Sequence, residues 1–206
     1  MSMEELRKLT KDERARAYNE VFREAFPDAE LKPLAGIEHA IAKGEYDFFG
    51  LFVDGGPVAY VCNWLDGRYI LIDYLCVPKA LRCGGWGSRA LLKMMEQYPE
   101  DTVFIGETEA VTGDPARDGL ILRRQNLYLR LGAQYMPFEC GVFCVRYRTL
   151  VWSKHPVEPE EVLRRYDGFY RRGLPEAIYR AAIQIPLGRD EALLPEQDWE
   201  ALGSDI

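Results

Sequence analysis

The chain has 206 residues, of which 48% are apolar and 29% are charged, and its formal net charge is −7. This length suits one domain with additions, or two small domains, and the apolar fraction is large enough to build a core. The acidic balance argues against nucleic acid as a partner, because proteins that bind it usually carry a clustered basic face.

The sequence gives little indication of a targeting segment or of a metal site. The sequence has no run of about 18 apolar residues and no leader in which an apolar stretch follows a charged one, so we expect no membrane span and no secretory signal. The five cysteines are Cys62, Cys76, Cys83, Cys140 and Cys144, and there are two histidines. An odd set of cysteines with so few histidines favours reduced thiols in a cytoplasmic protein and predicts no metal site.

Two helices are predicted at the start of the chain. Apolar residues recur at helical spacing through 3–26, and Pro27-Asp28 interrupts the pattern. A second helix is expected from Glu30 to Lys43, and Gly44 is a typical residue to follow a helix end.

Three antiparallel strands should come next. Tyr46–Val53 and Pro57–Trp64 flank Asp54-Gly55-Gly56, and Asp-Gly between two apolar runs is a strong hairpin signal. A second turn at 65–68 leads into an aliphatic strand, Ile70–Val77. Pro78 ends that strand because proline has no N–H to donate.

A glycine-rich stretch, Arg82-Cys83-Gly84-Gly85-Trp86-Gly87-Ser88, follows this strand and opens an amphipathic helix that continues to about Tyr98. Glycines let successive N–H groups converge on one point, and the start of a helix adds positive potential there. Such a place suits a phosphate, with Arg82 as a fixed cation. Two other interpretations are open: a connector without a ligand, or the weak dinucleotide fingerprint G-x-G-x-x-A at 85–90.

The second half predicts a strand, a helix and two closing strands. The strand is Asp101–Glu107, and the helix is Leu120–Leu131, which ends at Gly132. The closing strands are Ala133–Phe138 and Gly141–Val151. Because the strands before the glycine-rich stretch are joined by hairpins, a mostly antiparallel sheet is favoured over a parallel one, which argues against a nucleotide-binding Rossmann domain.

A C-terminal extension begins after residue 152. Pro156 and Pro159 mark a linker, Glu160–Arg172 presents one apolar face, and Pro175–Ile183 is a further short helix. The tail from Arg189 holds six acidic residues against one basic residue. It is expected to pack on the body, to cap a substrate opening or to join a homodimer, and the sequence does not choose among these.

Two motifs together resemble those of the GNAT (GCN5-related) N-acetyltransferase superfamily. That superfamily carries [Q/R]-x-x-G-x-[G/A] between a central strand and a helix, and an Asn and a Tyr some forty residues later. The corresponding residues here are Arg82, Gly85 and Gly87, and then Asn126, Tyr128 and Gly132. Cys83 departs from the pattern, because the superfamily commonly has Gly there.

The resemblance implies a fold and a division of the chain. The fold is α+β in α/β/α layers, the GNAT acyl-CoA N-acyltransferase fold, with a mixed, mostly antiparallel sheet and a splayed central strand pair. Residues 1–152 would form the acetyltransferase domain, and 153–206 a helical extension with an acidic tail packed on it.

The resemblance also implies an activity. It indicates a cytoplasmic N-acetyltransferase that uses acetyl-CoA and acts on the amine of a small molecule or peptide by direct attack in a ternary complex. The amides from Cys83 to Ser88 and the Arg82 side chain would hold the diphosphate. The strand edge at Leu75, Cys76 and Val77 would pair with the pantetheine arm, and Asn126 would bond its amides.

Candidate acid–base groups follow from the same resemblance. Tyr128 would be the general acid, since a phenol with a pKa near ~10 is protonated at neutral pH and can protonate a thiolate. Asp73 is a candidate base because, by strand alternation, it should share a face with Leu75 and Val77. Glu107 and Glu109 compete with it, and either acid could instead hold the substrate ammonium.

Each of these residues also has a structural interpretation. Tyr128 fits a core aromatic, the three acids fit solvated strand ends, and a water chain can replace a single base. A route through an acetylated cysteine is less favoured, because no cysteine has a histidine close in sequence. A non-catalytic acyl-CoA-binding sensor with the same fold is the alternative from another functional class.

Overall fold

The structure is a computed structural model that describes residues 3–27 and 30–196. It consists of two compact units, Met1–Thr102 and Val103–Ile206. In the described residues each unit contains four strands, paired antiparallel, together with helices. The predicted α+β class with mostly antiparallel strands is confirmed.

The sheet of the first unit has the strand order β1-β2-β3-β4. Its strands are β1 Glu4–Lys8, β2 Tyr46–Val53, β3 Gly56–Asp66 and β4 Tyr69–Cys76. The β2–β3 turn has φ values of +48° at Asp54 and +84° at Gly55. Positive φ at both central residues is typical of the turn whose twist matches a hairpin, so the predicted hairpin is confirmed.

The described helices of the first unit lie between β1 and β2 or after β4. They are α1 Lys11–Ala17, a π-helical turn Tyr18–Phe22, α2 Arg23–Ala25, α3 Leu34–Ala42 and α4 Trp86–Met95. A core of the unit forms around Phe22, which is fully buried and packs against the rings of Phe48, Tyr60 and Tyr74 at centroid distances of 5.2–5.9 Å.

The prediction of one helix through 3–26 is wrong at its beginning. Glu4–Lys8 is a strand that pairs with β2, with Leu6 opposite Leu51. The helix starts only after Thr10, whose hydroxyl accepts from the Glu13 amide while the Glu13 carboxylate accepts from the Thr10 amide. This capping box is legible in the sequence, whereas the strand forms because a partner edge is available. Similarly, α3 begins at Leu34 rather than Glu30, because Pro33 disfavours helix in the residue before it.

The second unit has the strand order β5-β7-β6-β8. Its elements are β5 Val103–Glu109, α5 Pro115–Arg130, β6 Gln134–Val142, β7 Val145–Trp152, α6 Pro159–Gly173, α7 Glu176–Ala182 and β8 Ile183–Leu187. Helix α5 starts five residues earlier than predicted, because Asp114 caps it by accepting from the Ala116 amide at 2.9 Å and Pro115 occupies its first position.

The extension packs within this second unit. Helix α6 buries Val162, Tyr166, Phe169 and Tyr170, which belong to the face predicted for it. The strand β8 pairs with β6, a pairing that the sequence analysis missed when it placed a helix end at Ile183. Of the acidic tail, residues to 196 are described; Trp199 and the last acids lie outside the described residues.

Candidate functional site

The glycine-rich loop forms the beginning of α4. Two residues of the loop, Cys83 and Gly85, have positive φ values of +70° and +75°. Gly85 is the N-cap of α4, and no side chain caps that helix. The first amides of a helix have no acceptor within the helix, and the helix dipole makes this end positive. The local backbone is therefore suited to an anion, as the sequence predicts.

Side chains around the loop favour the same use. Arg82 is exposed, and its Nε donates to the Val77 carbonyl at 3.3 Å, which keeps the guanidinium beside the loop. A Cβ at Gly84 would lie 2.6 Å from Nε1 of Trp86, so a larger residue there would force the Trp86 ring to move. At Gly87 a Cβ would meet Val77 at an ordinary 3.5 Å, which places the start of α4 against the end of β4.

The predicted strand edge corresponds to the end of β4 and the residue after it. Leu75 and Cys76 pair with Val61 and Tyr60 of β3. Burial raises the pKa of the Cys76 thiol to about 11, so this cysteine is a neutral, packed side chain. The role of Leu75, Cys76 and Val77 toward a pantetheine arm stays a prediction.

Asp73 does not share a face with Leu75 and Val77, and this expectation is wrong. The register shifts from Cys62–Tyr74 to Asn63–Ile72, which leaves Asp73 as the extra residue of a β-bulge. Such a bulge breaks the alternation of side chains. The Asp73 side chain, 7% exposed, accepts from Lys32 Nζ at 2.6 Å and from the Tyr46 hydroxyl at 2.6 Å.

Tyr128 and Asn126 lie on α5 in the second unit. Asn126 is exposed, and Tyr128 is half-buried with its ring 5.5 Å from that of Trp152 in an edge-to-face contact. Burial raises the pKa of the Tyr128 phenol, which therefore remains protonated at neutral pH. Trp152 Nε1 is buried and has no hydrogen-bond partner among the described residues.

Glu107 and Glu109 lie on β5, on the opposite side of the β5–β7 pair from Trp152. Phe104 is opposite Trp152, and a Cβ at Gly106 would lie 2.7 Å from the Trp152 ring. Alternation then turns Glu107 to the other face, where it contacts α6. Its Oε1 accepts from the Tyr170 hydroxyl at 2.5 Å and also from that of Tyr166. Tyr128 and the two glutamates are thus not brought to one face.

Four contacting residues were missed by the sequence analysis. Lys32 and Tyr46 hold Asp73, and Tyr166 and Tyr170 hold Glu107. Their separations from the acids are 27 to 63 residues, so no local pattern reveals them. The spacing of Tyr166 and Tyr170 by four did predict a shared face.

No group of three or more His, Cys, Asp and Glu residues is placed to hold a metal ion in 3–27 and 30–196. In that same part of the chain, every helix is too short or too polar to traverse a bilayer.

Solved structures provide the comparison, since the sequence matches no protein-family model and no curated protein. A protein from Bacteroides thetaiotaomicron assigned to the GNAT family of acetyltransferases is similar over 83% of this chain and 99% of its own, with 18% identity and a TM-score of 0.63. The ribosomal-protein-S18-alanine N-acetyltransferase from Escherichia coli is similar over 76% and 97%, with 15% identity and a TM-score of 0.53. A Bacillus subtilis acetyltransferase in complex with CoA is similar over 75% and 100%, with 10% identity and a TM-score of 0.51.

These likenesses define the class of protein as one with the acyl-CoA N-acyltransferase fold. Within that class, the chain has the fold of the GNAT superfamily, and the resemblance found in its two motifs is confirmed at this level.

Proposed function

We propose that the protein is an acetyl-CoA-dependent N-acetyltransferase of the cytoplasm that acts on the amine of a small molecule or peptide. The observation that carries this proposal is the loop before α4, where positive φ at Cys83 and Gly85 and an uncapped helix start offer amides to an anion. It occurs in a chain with the GNAT fold. One structure of that fold is a complex with CoA, and another is named for an alanine of a ribosomal protein.

The residues present fit the coenzyme. The loop amides and Arg82 suit a diphosphate, and the backbone of Leu75, Cys76 and Val77 suits the amides of the pantetheine arm. Asn126, exposed on α5, suits the same arm. Acetyl-CoA would supply the acetyl group as an activated thioester, for direct transfer to the amine in a ternary complex.

Proton transfers are assigned to two different faces of the second unit. Tyr128, protonated at neutral pH, suits a donor to the departing sulfur, while Glu107 or Glu109 suits an acceptor for the proton of the amine. The acid and the base are different residues because they act on different atoms, the sulfur and the amine nitrogen. Asp73 fits this scheme less well, since Lys32 and Tyr46 already hold its carboxylate.

A second candidate is an acyl-CoA-binding sensor, and it is favoured because other side chains hold the carboxylates of two candidate bases. Asp73 is held in an ion pair and Glu107 by two phenols, which are arrangements that also serve stability alone. A sensor would bind acetyl-CoA and transfer nothing.

A binding and turnover experiment separates the candidates. We expect acetyl-CoA to raise the melting temperature, and we expect Arg82→Gln to weaken binding by about ten- to a hundredfold, because a hydrogen bond to a charged group contributes roughly 1.5–3 kcal/mol. Arg68→Gln, which changes an exposed arginine beside Tyr69 instead, is the matched control. Binding would be measured by titration calorimetry.

Thiol release from acetyl-CoA is then measured with amines, aminoglycosides, polyamines and peptides as acceptors. Release with one of these classes supports the transferase. Binding without release from any of them favours the sensor, and the absence of any binding contradicts both.

A further inference from the structure

The Glu107 carboxylate is clamped by the C-terminal extension. Tyr166 and Tyr170 lie one turn apart on α6, and both hydroxyls donate to the same oxygen, Oε1 of Glu107 on β5. Their rings pack edge to face at 5.5 Å. Tyr166 is fully buried and Tyr170 is 7% exposed, so water competes little for these hydrogen bonds.

Two donors on one oxygen fix the orientation of the carboxylate as well as its position. A carboxylate that accepts two bonds on Oε1 cannot rotate about its terminal bond without breaking both, so the direction of Oε2 is also set. Neither phenol is needed for the apolar contacts of its ring, since phenylalanine has the same shape without the hydroxyl. The two hydroxyls therefore act on the carboxylate itself.

We infer that Tyr166 and Tyr170 are positioning residues for Glu107, and that through them the extension after residue 152 completes the proton-accepting part of the transferase. This inference rests on the proposed function for its catalytic consequence. Tyr166 and Tyr170 hold the carboxylate ionised and oriented so that Glu107, rather than Glu109 or Asp73, accepts the proton of the amine.

Several titratable groups lie around Glu107. They include Tyr166 and Tyr170 on α6 and Cys140 on β6, and Glu109 lies on the same strand. Burial raises the pKa of Cys140 to about 12 and raises that of Tyr166 well above its ordinary value, so these groups stay neutral where a carboxyl titrates. Hydrogen bonds to the charged form of a carboxyl lower its pKa.

The test is the titration of Glu107 in the full chain, followed by carbon-13 resonances of glutamate side chains and assigned by comparison with Glu107→Gln. In Tyr170→Phe we expect the midpoint of Glu107 to rise by about one pH unit, the scale of one lost hydrogen bond to a carboxylate. Tyr179→Phe is the matched control, because it removes a phenol that donates to Asp167 in the same extension. An equal midpoint in the wild type and Tyr170→Phe would overturn the inference.

A kinetic experiment adds a second test and needs an active wild type, whereas the titration does not. Failure of the proposed function and failure of the inference therefore give different results. With an acceptor, the acidic limb of kcat should move upward by the same amount in Tyr170→Phe, with about a tenfold loss at its lower end and an unchanged KM for acetyl-CoA. A shifted midpoint with an unmoved limb would remove Glu107 from the reaction. Tyr170→Phe is tested alone first because Tyr166, fully buried, is the riskier site for folding.

Discussion

Among single residues, Asp73 shows how an acid at a β-bulge is used. Its carboxylate is almost fully covered and accepts from Lys32 and Tyr46, while Lys32 also lies 5.3 Å from the centre of the Tyr74 ring. The Lys32 amide in turn donates to the Tyr74 hydroxyl at 3.0 Å. These bonds join the segment before α3 to the sheet, which indicates a structural duty for Asp73.

Replacing Asp73 with Asn should therefore lower the free energy of unfolding by about 2–4 kcal/mol, because Lys32 would lose the partner of a largely buried charge pair. Urea unfolding measures this loss. Asp101→Asn, at an exposed position of the same unit, should change stability by less than about 0.5 kcal/mol. A stable Asp73→Asn protein that has lost acetyl transfer would instead restore Asp73 as a base.

At the scale of one element, helix α1 depends on the capping box formed by Thr10 and Glu13 at its start. Glu13 accepts from the Thr10 amide at 2.8 Å and receives two bonds from the Arg7 guanidinium at 2.8 and 2.6 Å. These contacts, the Arg7 bond first, lower the pKa of Glu13 to about 2 from its ordinary value of 4.5. Arg7 belongs to β1, so Glu13 connects the strand that the sequence analysis missed to the helix that follows it.

A lowered pKa in the folded state means that ionised Glu13 stabilises the fold. The contribution is complete above about pH 4.5 and is lost as the pH falls toward 2. Thermal unfolding of the wild type and Glu13→Gln should differ most at pH 7 and converge between pH 4.5 and 2. Glu5→Gln, whose carboxylate lies 4.0 Å from Arg7 and is 63% exposed, should show no such convergence; parallel curves for Glu13→Gln would contradict the assignment.

At the scale of the whole molecule, the extension behaves as part of the second unit rather than as an addition to it. Strand β8 extends the sheet by pairing with β6, and α6 covers Glu107. Several of its large side chains are buried, including Val162, Tyr166, Phe169 and Leu187. Burial of each such side chain contributes roughly 1.5–3 kcal/mol, which is comparable to the net stability of a domain when summed.

Removal of 153–206 should consequently abolish cooperative unfolding, as followed by circular dichroism during heating. Arg180→Gln, a change at an exposed position of α7, is the control, and it should leave the transition within a few degrees of the wild type. A shortened chain of 1–152 that still melts cooperatively would show that the predicted division of the chain at residue 152 is also a division in stability.

Much of the architecture was predictable because its causes are local. The Asp54-Gly55 turn, the strands around it and the loop before α4 depend on residues adjacent in the chain. The predicted bounds of β2, Tyr46–Val53, match the structure. Errors arose where another part of the molecule supplies the stabilising partner, as for β1 on β2 and β8 on β6.

By itself, then, the sequence determined the fold class, the antiparallel strands and the anion-suited backbone at 82–88, because glycine spacing, hairpin turns and helix starts are properties of short segments. Only the tertiary structure decided which candidate acids form hydrogen bonds with other side chains, and which side chains those are. The bulge that rotates Asp73 toward Lys32, and the two phenols that reach Glu107 from about sixty residues away, depend on register and packing between distant segments.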